Sequence, residues 1–154
     1  MRCRFLRGLC GALAALIILG GCTPAADFQT DTQGSMRWDE LRGSYVVVNY
    51  FAEWCAPCLR ELPELNAFHE QAGDNVRLFG VSFDGLDNEA LASLREKYDI
   101  RFPLIQNQPL PNLPFATPQM LPATYIITPE GEVKGPLLGE QTIESLHRAT
   151  GGSD

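Results

Sequence analysis

Clusters of apolar residues along the chain predict alternating strands and helices. Residues 45–51 (YVVVNYF) form a continuous β-branched and aromatic run, which is typical of a strand buried on both faces. Apolar residues then recur at three-residue spacing from Leu59 to Phe68, and this spacing predicts a helix over about residues 55–72. A second buried strand is predicted over residues 77–83 (RLFGVSF).

The rest of the pattern predicts an α/β domain with a mixed sheet. Asp87 is a suitable N-cap for a helix that reaches Tyr98 and turns Leu91 and Leu94 inward. Three elements follow: a short strand or extended segment at 102–105, a hairpin with arms at 123–128 and 132–137, and a closing helix at 142–150. This order, β-α-β-α, then a hairpin, then α, favours a layered α/β architecture.

Residues 106–121 interrupt the pattern. Prolines at positions 109, 111, 114 and 118 exclude an ordinary helix or a central strand in this segment. Leu110, Leu113 and Phe115 have no helical or strand face to bury them here, so we expect some of these side chains to be exposed.

The N-terminal segment has the pattern of a bacterial export signal. Three arginines lie within the first seven residues, and residues 9–20 form an apolar run of about a dozen residues, whereas a transmembrane helix needs roughly 20. The run ends in Leu-Gly-Gly-Cys22, which resembles the lipobox, where small residues precede a cysteine that is lipidated and becomes the new N-terminus. The alternatives are a plain secretory signal with a coincidental cysteine and an uncleaved anchor helix.

Three parts of the chain are therefore predicted: a lipoprotein signal peptide at 1–21, a flexible tether at 22–37 and a globular domain at 38–154. The tether is predicted because its residues are small and polar, without apolar periodicity. A lipid chain on Cys22 would hold the domain at a membrane of the bacterial envelope, facing the periplasm, because burial of its methylene groups is favourable.

Charge and cysteine content narrow the range of functions. Loss of residues 1–21 removes three arginines and no acid, which leaves nine basic and 19 acidic residues and a net charge of −10. Such a surface repels nucleic acid, so no nucleic-acid partner is predicted. Of the five cysteines, two lie in the signal and Cys22 is the lipid site, so Cys55 and Cys58 remain as the thiols.

Cys55 and Cys58 stand between a buried strand and a helix. The first N–H groups of a helix are unsatisfied and its dipole is positive there, so we expect the pKa of Cys55 to fall below its free value of about 8.5. The spacing puts the second thiol one helical turn away, within reach of a disulfide. Pro57 suits the first turn, because its missing N–H costs nothing there.

Residues 51–58 (FAEWCAPC) resemble the active-site loop of thioredoxins. About residues 38–150 resemble the membrane-tethered envelope branch of that family, the TlpA- or ResA-like proteins. Three features carry this likeness: Asn49 in place of a buried Asp, the C-x-x-E-x-P pattern from Cys58 to Pro63, and Leu121-Pro122 before a strand, as in the family's cis-proline loop. The resemblance implies a thioredoxin-like fold, with a central mixed β-sheet flanked by helices.

The resemblance also implies the chemistry, a redox disulfide between Cys55 and Cys58 that needs no cofactor. Its partners would be protein disulfides or thiols and an unidentified redox donor or acceptor protein. A disulfide reductase is favoured, and a disulfide-forming oxidant is the alternative. The implied catalytic residues are Cys55, Cys58, Glu61 and Pro122, and the implied lining of the substrate groove is Trp54, Ala56, Pro57 and Leu121.

Two features of the site carry their own expectations. Glu61 follows Cys58 by three residues on one helix face, so it is a candidate for managing the proton of that thiol; the alternative is a solvated acid. The Leu121–Pro122 bond is predicted to be cis and next to Cys55. The segment 106–119 would then form one wall of the partner groove, unless Leu110 and Phe115 fold back to plug a core edge left by a missing helix.

Other functions share parts of the pattern. A zinc site needs two more ligands, and the available His69 and His147 form no cluster with the cysteines, so no metal is predicted. A peroxidase of related fold would have a hydroxyl residue where Ala52 stands. A copper chaperone of related fold usually spaces its cysteines one residue wider and adds a histidine, and such a binding module is the alternative to redox chemistry.

Overall fold

The computed structural model describes residues 25–152, which form seven strands and three α-helices. The strands are β1 (Phe28–Thr30), β2 (Gly34–Met36), β3 (Tyr45–Phe51), β4 (Val76–Ser82), β5 (Leu104–Ile105), β6 (Ala123–Ile127) and β7 (Val133–Leu138). The helices are α1 (Ala56–Gln71), α2 (Asn88–Lys97) and α3 (Ile143–Ala149), and a 3-10 turn spans Trp38–Leu41. All seven strands belong to one sheet, in the order β2-β1-β5-β4-β3-β6-β7.

The sheet is mixed, as predicted. β3 pairs in parallel with β4, and β4 with β5, whereas the other four neighbouring pairs are antiparallel. Parallel neighbours need a crossover connection, and α1 and α2 provide the two crossovers. The start of α1 therefore follows the carboxyl end of β3, and Cys55 lies at this junction.

Alternation along β3 sends its side chains into two different layers. Val47 and Phe51 belong to the core between the sheet and the helices, whereas Val46 and Val48 belong to the core on the opposite face. All three α-helices of residues 25–152 contribute to the first core. The second face is covered by the 3-10 turn and by apolar residues of the segment 106–121.

Side-chain caps fix the N-terminal ends of α2 and α3; the cap at Asp87 was predicted from the sequence, and the cap at Thr142 was not. The carboxylate of Asp87 accepts the N–H of Ala90 at 2.9 Å, and the hydroxyl of Thr142 accepts the N–H of Ser145 at 3.2 Å. Each cap satisfies an N–H group that the first helical turn leaves without a partner.

The predicted tether over 22–37 is wrong from residue 28 onward. β1 and β2 extend the sheet, the side chain of Phe28 is buried, and Thr30 pairs with Ile105. Strands of three residues show too little alternation to be recognised, and their apolar partners come from distant parts of the chain. The domain therefore begins well before residue 38. The predicted signal peptide at 1–21 and the lipid site Cys22 lie outside the described residues.

Residues 106–121 contain neither a helix nor a strand, in agreement with their prolines. Leu113 and Phe115 of this segment pack on the second face of the sheet. Between residues 25 and 152, no helix has the length and apolar character needed to cross a membrane.

Candidate active site

The two predicted redox cysteines are joined by a disulfide at the start of α1. Their Cα atoms are 5.3 Å apart, within the usual range for a disulfide. Cys55 is the N-cap residue of the helix, and its Sγ accepts the backbone N–H of Cys58 at 3.3 Å. Cys55 is 6% exposed and Cys58 is fully buried, so an attacking group reaches the bond from the side of Cys55.

A buried polar cluster follows Cys58 by one helical turn; it consists of the side chains of Asn49, Glu61 and Thr124 and the backbone of Gln141. Glu61 is 1% exposed, which rules out the solvated alternative for this acid. Its Oε1 accepts Nδ2–H of Asn49 at 2.8 Å, and its Oε2 accepts the N–H of Gln141 at 2.8 Å. Nδ2–H of Asn49 also donates to Oγ1 of Thr124 at 3.1 Å.

The surroundings of Glu61 shift its pKa toward neutral pH. Burial raises the pKa of Glu61 to about 7, while the hydrogen bonds from Gln141 and Asn49 favour the carboxylate and act in the opposite direction. The charge of Glu140 raises the pKa further, although Glu140 is paired with Arg60 at 2.5 Å.

An apolar rim begins at Trp54, directly before Cys55 in the chain; it consists of Trp54, Phe83 and Leu110. The indole of Trp54 is 66% exposed, and its Nε1–H donates to both carboxylate oxygens of Asp84 at 3.0 Å. The rings of Trp54 and Phe83 meet edge to face, with centroids 6.1 Å apart. Phe83 and Leu110 border a groove of about 360 Å³, and Leu110 is 81% exposed.

The Leu121–Pro122 bond is cis, which confirms the prediction, and Gln108–Pro109 and Gly135–Pro136 are cis as well. Leu121 packs against both cores, one of which contains Cys55 and Cys58. The carbonyl of Pro122 accepts the N–H of Gly139 at 3.0 Å. Of the other predicted groove residues, Ala56 is exposed and Pro57 is half-buried.

The apolar side chains of the proline-rich loop have different surroundings, so the two interpretations of the loop apply to different residues. Phe115 stacks on Tyr125 with ring centroids 4.2 Å apart and, with Leu113, packs on the second face of the sheet. The plug interpretation is thus confirmed for Phe115 and wrong for Leu110, whose side chain faces solvent. The loop is held by Asn112, whose backbone carbonyl accepts Nε1–H of Trp38 at 2.7 Å.

Comparisons with known proteins agree with this geometry. The model of the AhpC/TSA family matches residues 20–135, three quarters of the chain. The chain belongs to the AhpC/TSA family. Among its relatives is the thiol–disulfide oxidoreductase ResA of Geobacillus kaustophilus (strain HTA426), 32% identical over 129 residues that cover 80% of this chain and 72% of that protein. ResA of Bacillus subtilis (strain 168) is 28% identical over 119 residues, which cover 76% of this chain and 66% of that protein.

Solved structures confirm the thioredoxin-like fold of this AhpC/TSA-family chain. StoA of Bacillus subtilis has a TM-score of 0.67 at 20% identity, with 82% of this chain and 99% of that chain covered. The exposed lipoprotein thioredoxin Etrx1 of Streptococcus pneumoniae (strain TIGR4) has a TM-score of 0.68 at 18% identity, with 80% and 96% covered. At these identities the likeness concerns the fold.

Several residues of this site were not predicted from the sequence. Thr124 lies opposite Asn49 in the register of β3 and β6, and alternation along β3 turns Asn49 toward the helices, so this pair had a detectable signal. The backbone donor of Gln141 and the contact of Phe83 with Trp54 depend on long-range packing and had none.

The structure brings no histidine to the cysteines. Within residues 25–152 there is no group of three or more histidine, cysteine, aspartate or glutamate side chains that could hold a metal ion. His147 instead packs its ring against Phe68, with centroids 5.1 Å apart.

Proposed function

We propose that this chain is a thiol–disulfide oxidoreductase of the bacterial envelope that reduces disulfides in partner proteins through Cys55 and Cys58. The observation that carries the proposal is the disulfide at the N-terminus of α1, with Cys55 at the helix cap and Cys58 fully buried. The two cysteines thus have unequal access, which suits one to attack and the other to resolve. The relatives named ResA support the same class of reaction.

In the proposed cycle, the thiolate of Cys55 attacks a sulfur of the partner's disulfide. A mixed disulfide forms and the partner's other sulfur leaves as a thiolate. Cys58 loses its proton and attacks Sγ of Cys55, which releases the second partner sulfur and closes the Cys55–Cys58 bond. Two electrons pass from the cysteine pair to the partner, and solvent protonates the two released thiolates.

Glu61 is the proposed acceptor of the proton that Cys58 loses. The two residues are one turn apart on the same face of α1, and both side chains are buried. A pKa of about 7 lets a carboxylate take a proton and return it near neutral pH. Because solvent is excluded from both groups, Glu61 supplies a route that water does not.

The apolar rim and the loop before Pro122 are proposed to contact the partner. Trp54 exposes apolar surface next to Cys55, and Leu110 exposes more across the groove that it shares with Phe83; apolar surface of this kind is a mark of an interaction site. Leu121 packs against the core that contains the disulfide, and its backbone is the proposed edge for pairing with an extended segment of the partner.

The envelope location rests on the N-terminal sequence. The lipobox-like Leu-Gly-Gly-Cys22 supports a lipid anchor on Cys22, which would hold the folded domain close to the membrane, because the sheet already begins at Phe28. Metabolic labelling with a palmitate analogue tests the anchor: label is expected in the native chain and absent from Cys22→Ala.

The reduction potential of the Cys55–Cys58 pair tests the direction of electron flow. Equilibration with a series of glutathione buffers is expected to give a value below about −200 mV, on the reducing side of protein disulfide isomerase. A value near −120 mV, which is that of a strong oxidant, would reverse the direction and leave the exchange chemistry intact. The same preparation tests the alternative function, copper binding. The reduced cysteine pair is expected not to retain equimolar Cu(I) against a chelator.

A further inference from the structure

The side chain of Asn49 has one polar atom in use and one that is idle. Its Nδ2 group donates to Glu61 and to Thr124, whereas its Oδ1 is buried and accepts no hydrogen bond from residues 25–152. Buried polar atoms without partners are uncommon, and each calls for an explanation. Here the idle atom belongs to the amide that contacts the one buried carboxyl group of the cluster.

The observed contacts suit an ionised Glu61. A carboxylate only accepts hydrogen bonds, and both oxygens of Glu61 face N–H groups, one from Asn49 and one from Gln141. A protonated carboxyl group has an O–H that needs an acceptor. The backbone N–H of Gln141 cannot become one, but a half-turn of the Asn49 amide brings Oδ1 to the position that Nδ2 now holds.

Thr124 can follow such a turn. Its hydroxyl now accepts Nδ2–H of Asn49 at 3.1 Å, and a hydroxyl can equally donate to Oδ1. After the turn, the O–H groups of Glu61 and Thr124 would both point to the oxygen that has no donor at present. One amide rotation therefore exchanges a set of contacts suited to the carboxylate for a set suited to the acid.

We propose that Asn49 is a positioning residue whose side-chain amide turns by half a rotation when Glu61 gains or loses its proton. The proposal rests on the proposed role of Glu61. When Cys58 gives its proton to Oε1 of Glu61, the turned amide accepts the new O–H and holds the proton while the Cys58 thiolate attacks. When Glu61 releases the proton, the amide turns back.

Two titratable groups approach Glu61 from different elements. α1 carries Cys58 one turn earlier, and the segment after β7 carries Glu140, whose charge raises the pKa of Glu61 and which is paired with Arg60. The residues that β3 and β6 contribute, Asn49 and Thr124, are uncharged. In the oxidised protein Cys58 does not titrate, so Glu61 can be studied there without the thiol.

The test uses the whole chain in its oxidised form. Neutron diffraction from crystals at pH 5 and pH 9 locates the deuterons on Asn49 and Glu61 directly. The proposal requires Nδ2 to face Glu61 at pH 9 and Oδ1 to face it at pH 5. The same amide orientation at both values, with Glu61 protonated at the lower one, would overturn it. If Glu61 stays ionised at pH 5, the proposed role of Glu61 fails instead, so the two failures are distinguishable.

Two variants follow the same event in solution by carboxyl ¹³C NMR. Asn49→Leu keeps the approximate shape but removes a hydrogen bond from both forms of Glu61. Because the bond to the carboxylate is the stronger of the two, the midpoint of Glu61 is expected to rise by less than about one pH unit. Asn66→Leu is the matched control. Asn66 is a buried asparagine on the same helix as Glu61, but its side chain bonds to the backbone of Asp99 and Arg101. Its Glu61 midpoint should be that of the native chain. A rise of about one to two units, as for the loss of an amide that stays fixed as a donor to the carboxylate, would contradict the proposal. The diffraction test needs no variant to fold.

Discussion

The buried polar cluster follows Cys58 along α1, whereas the apolar rim begins at Trp54, directly before Cys55. The two regions reverse the usual placement of residue types. In the cluster, the carboxyl group of Glu61 is 1% exposed and borders the apolar core that contains Cys58. In the rim, the indole of Trp54 and the side chain of Leu110 are 66% and 81% exposed to water. Each arrangement is unfavourable for stability taken alone, since buried charge and exposed apolar surface both cost free energy.

The difference assigns separate tasks to the two regions. A buried carboxyl group with a pKa of about 7 can move protons but cannot contact a partner protein. Exposed apolar side chains can contact a partner but cannot take part in proton transfer. The cluster should therefore govern the step in which Cys58 reacts, and the rim should govern which protein Cys55 attacks.

The largest expected effect separates the two cysteines themselves. Cys58→Ser should trap partner proteins as stable mixed disulfides, because the attacking thiol remains and the resolving thiol is lost. Cys55→Ser should trap almost none, since Cys58 is fully buried. Non-reducing electrophoresis after acid quench measures both variants. Equal trapping by the two variants would remove the basis for calling one side of the disulfide the reactive side.

The next effect concerns the cluster. Glu61→Gln keeps the shape of the side chain but cannot accept a proton, so closure of the Cys55–Cys58 bond near neutral pH should slow by about 100-fold, the usual scale of general base catalysis. The first attack by Cys55 should change much less. Stopped-flow fluorescence, with Trp54 next to the disulfide as the reporter, can follow both steps.

Glu64→Gln is the matched control for that measurement. Glu64 lies on the same helix, and its carboxylate accepts the N–H of Ile143 at 3.1 Å, away from the cysteines. It should leave both rates at native values. Equal slowing of both steps by Glu61→Gln would mean that the residue supports the fold of α1 rather than the proton of Cys58.

The cluster should also leave a signature in stability. Because the pKa of Glu61 is raised from 4.5 to about 7, the folded state binds more protons than the unfolded state between these values. The contribution is fully present below about pH 4.5, and about 3 kcal/mol of it is lost as the pH rises to 7. Urea unfolding of the oxidised protein, measured against Glu61→Gln across this range, isolates the effect. A constant difference between the two proteins would show that Glu61 is not destabilised by its burial.

Sequence alone predicted the part of the molecule in which local pattern and tertiary packing agree. The run that forms β3, the three-residue spacing of α1 and the cap at Asp87 are each strong local signals, and all three elements formed where expected. The cysteine pair was equally clear, because its chemistry depends on two residues at the start of one helix.

The missed parts depend on residues distant in the chain. β1 is a strand because β5 offers it an edge, and three residues carry no period of their own. The burial of Glu61 needs the backbone of Gln141, 80 positions away, to supply a donor. Phe115 is packed and Leu110 is exposed because the ring of Tyr125, ten positions beyond Phe115, stacks on Phe115 and not on Leu110.

The smallest expected effect tests the rim through the proline-rich loop. Leu110→Ser removes exposed apolar surface and should lower the rate with a protein partner about fivefold, the scale of one kcal/mol from a single contact. Reduction of a small aromatic disulfide and the melting temperature should both remain native, because the side chain is 81% exposed. Phe115→Ala is the contrasting variant: loss of its stacking on Tyr125 should cost about 2 kcal/mol of stability. A fall in melting temperature for Leu110→Ser would place Leu110 with Phe115 in the core and leave Trp54 and Phe83 as the whole rim, whereas a native rate with the protein partner would show that the partner does not reach the loop.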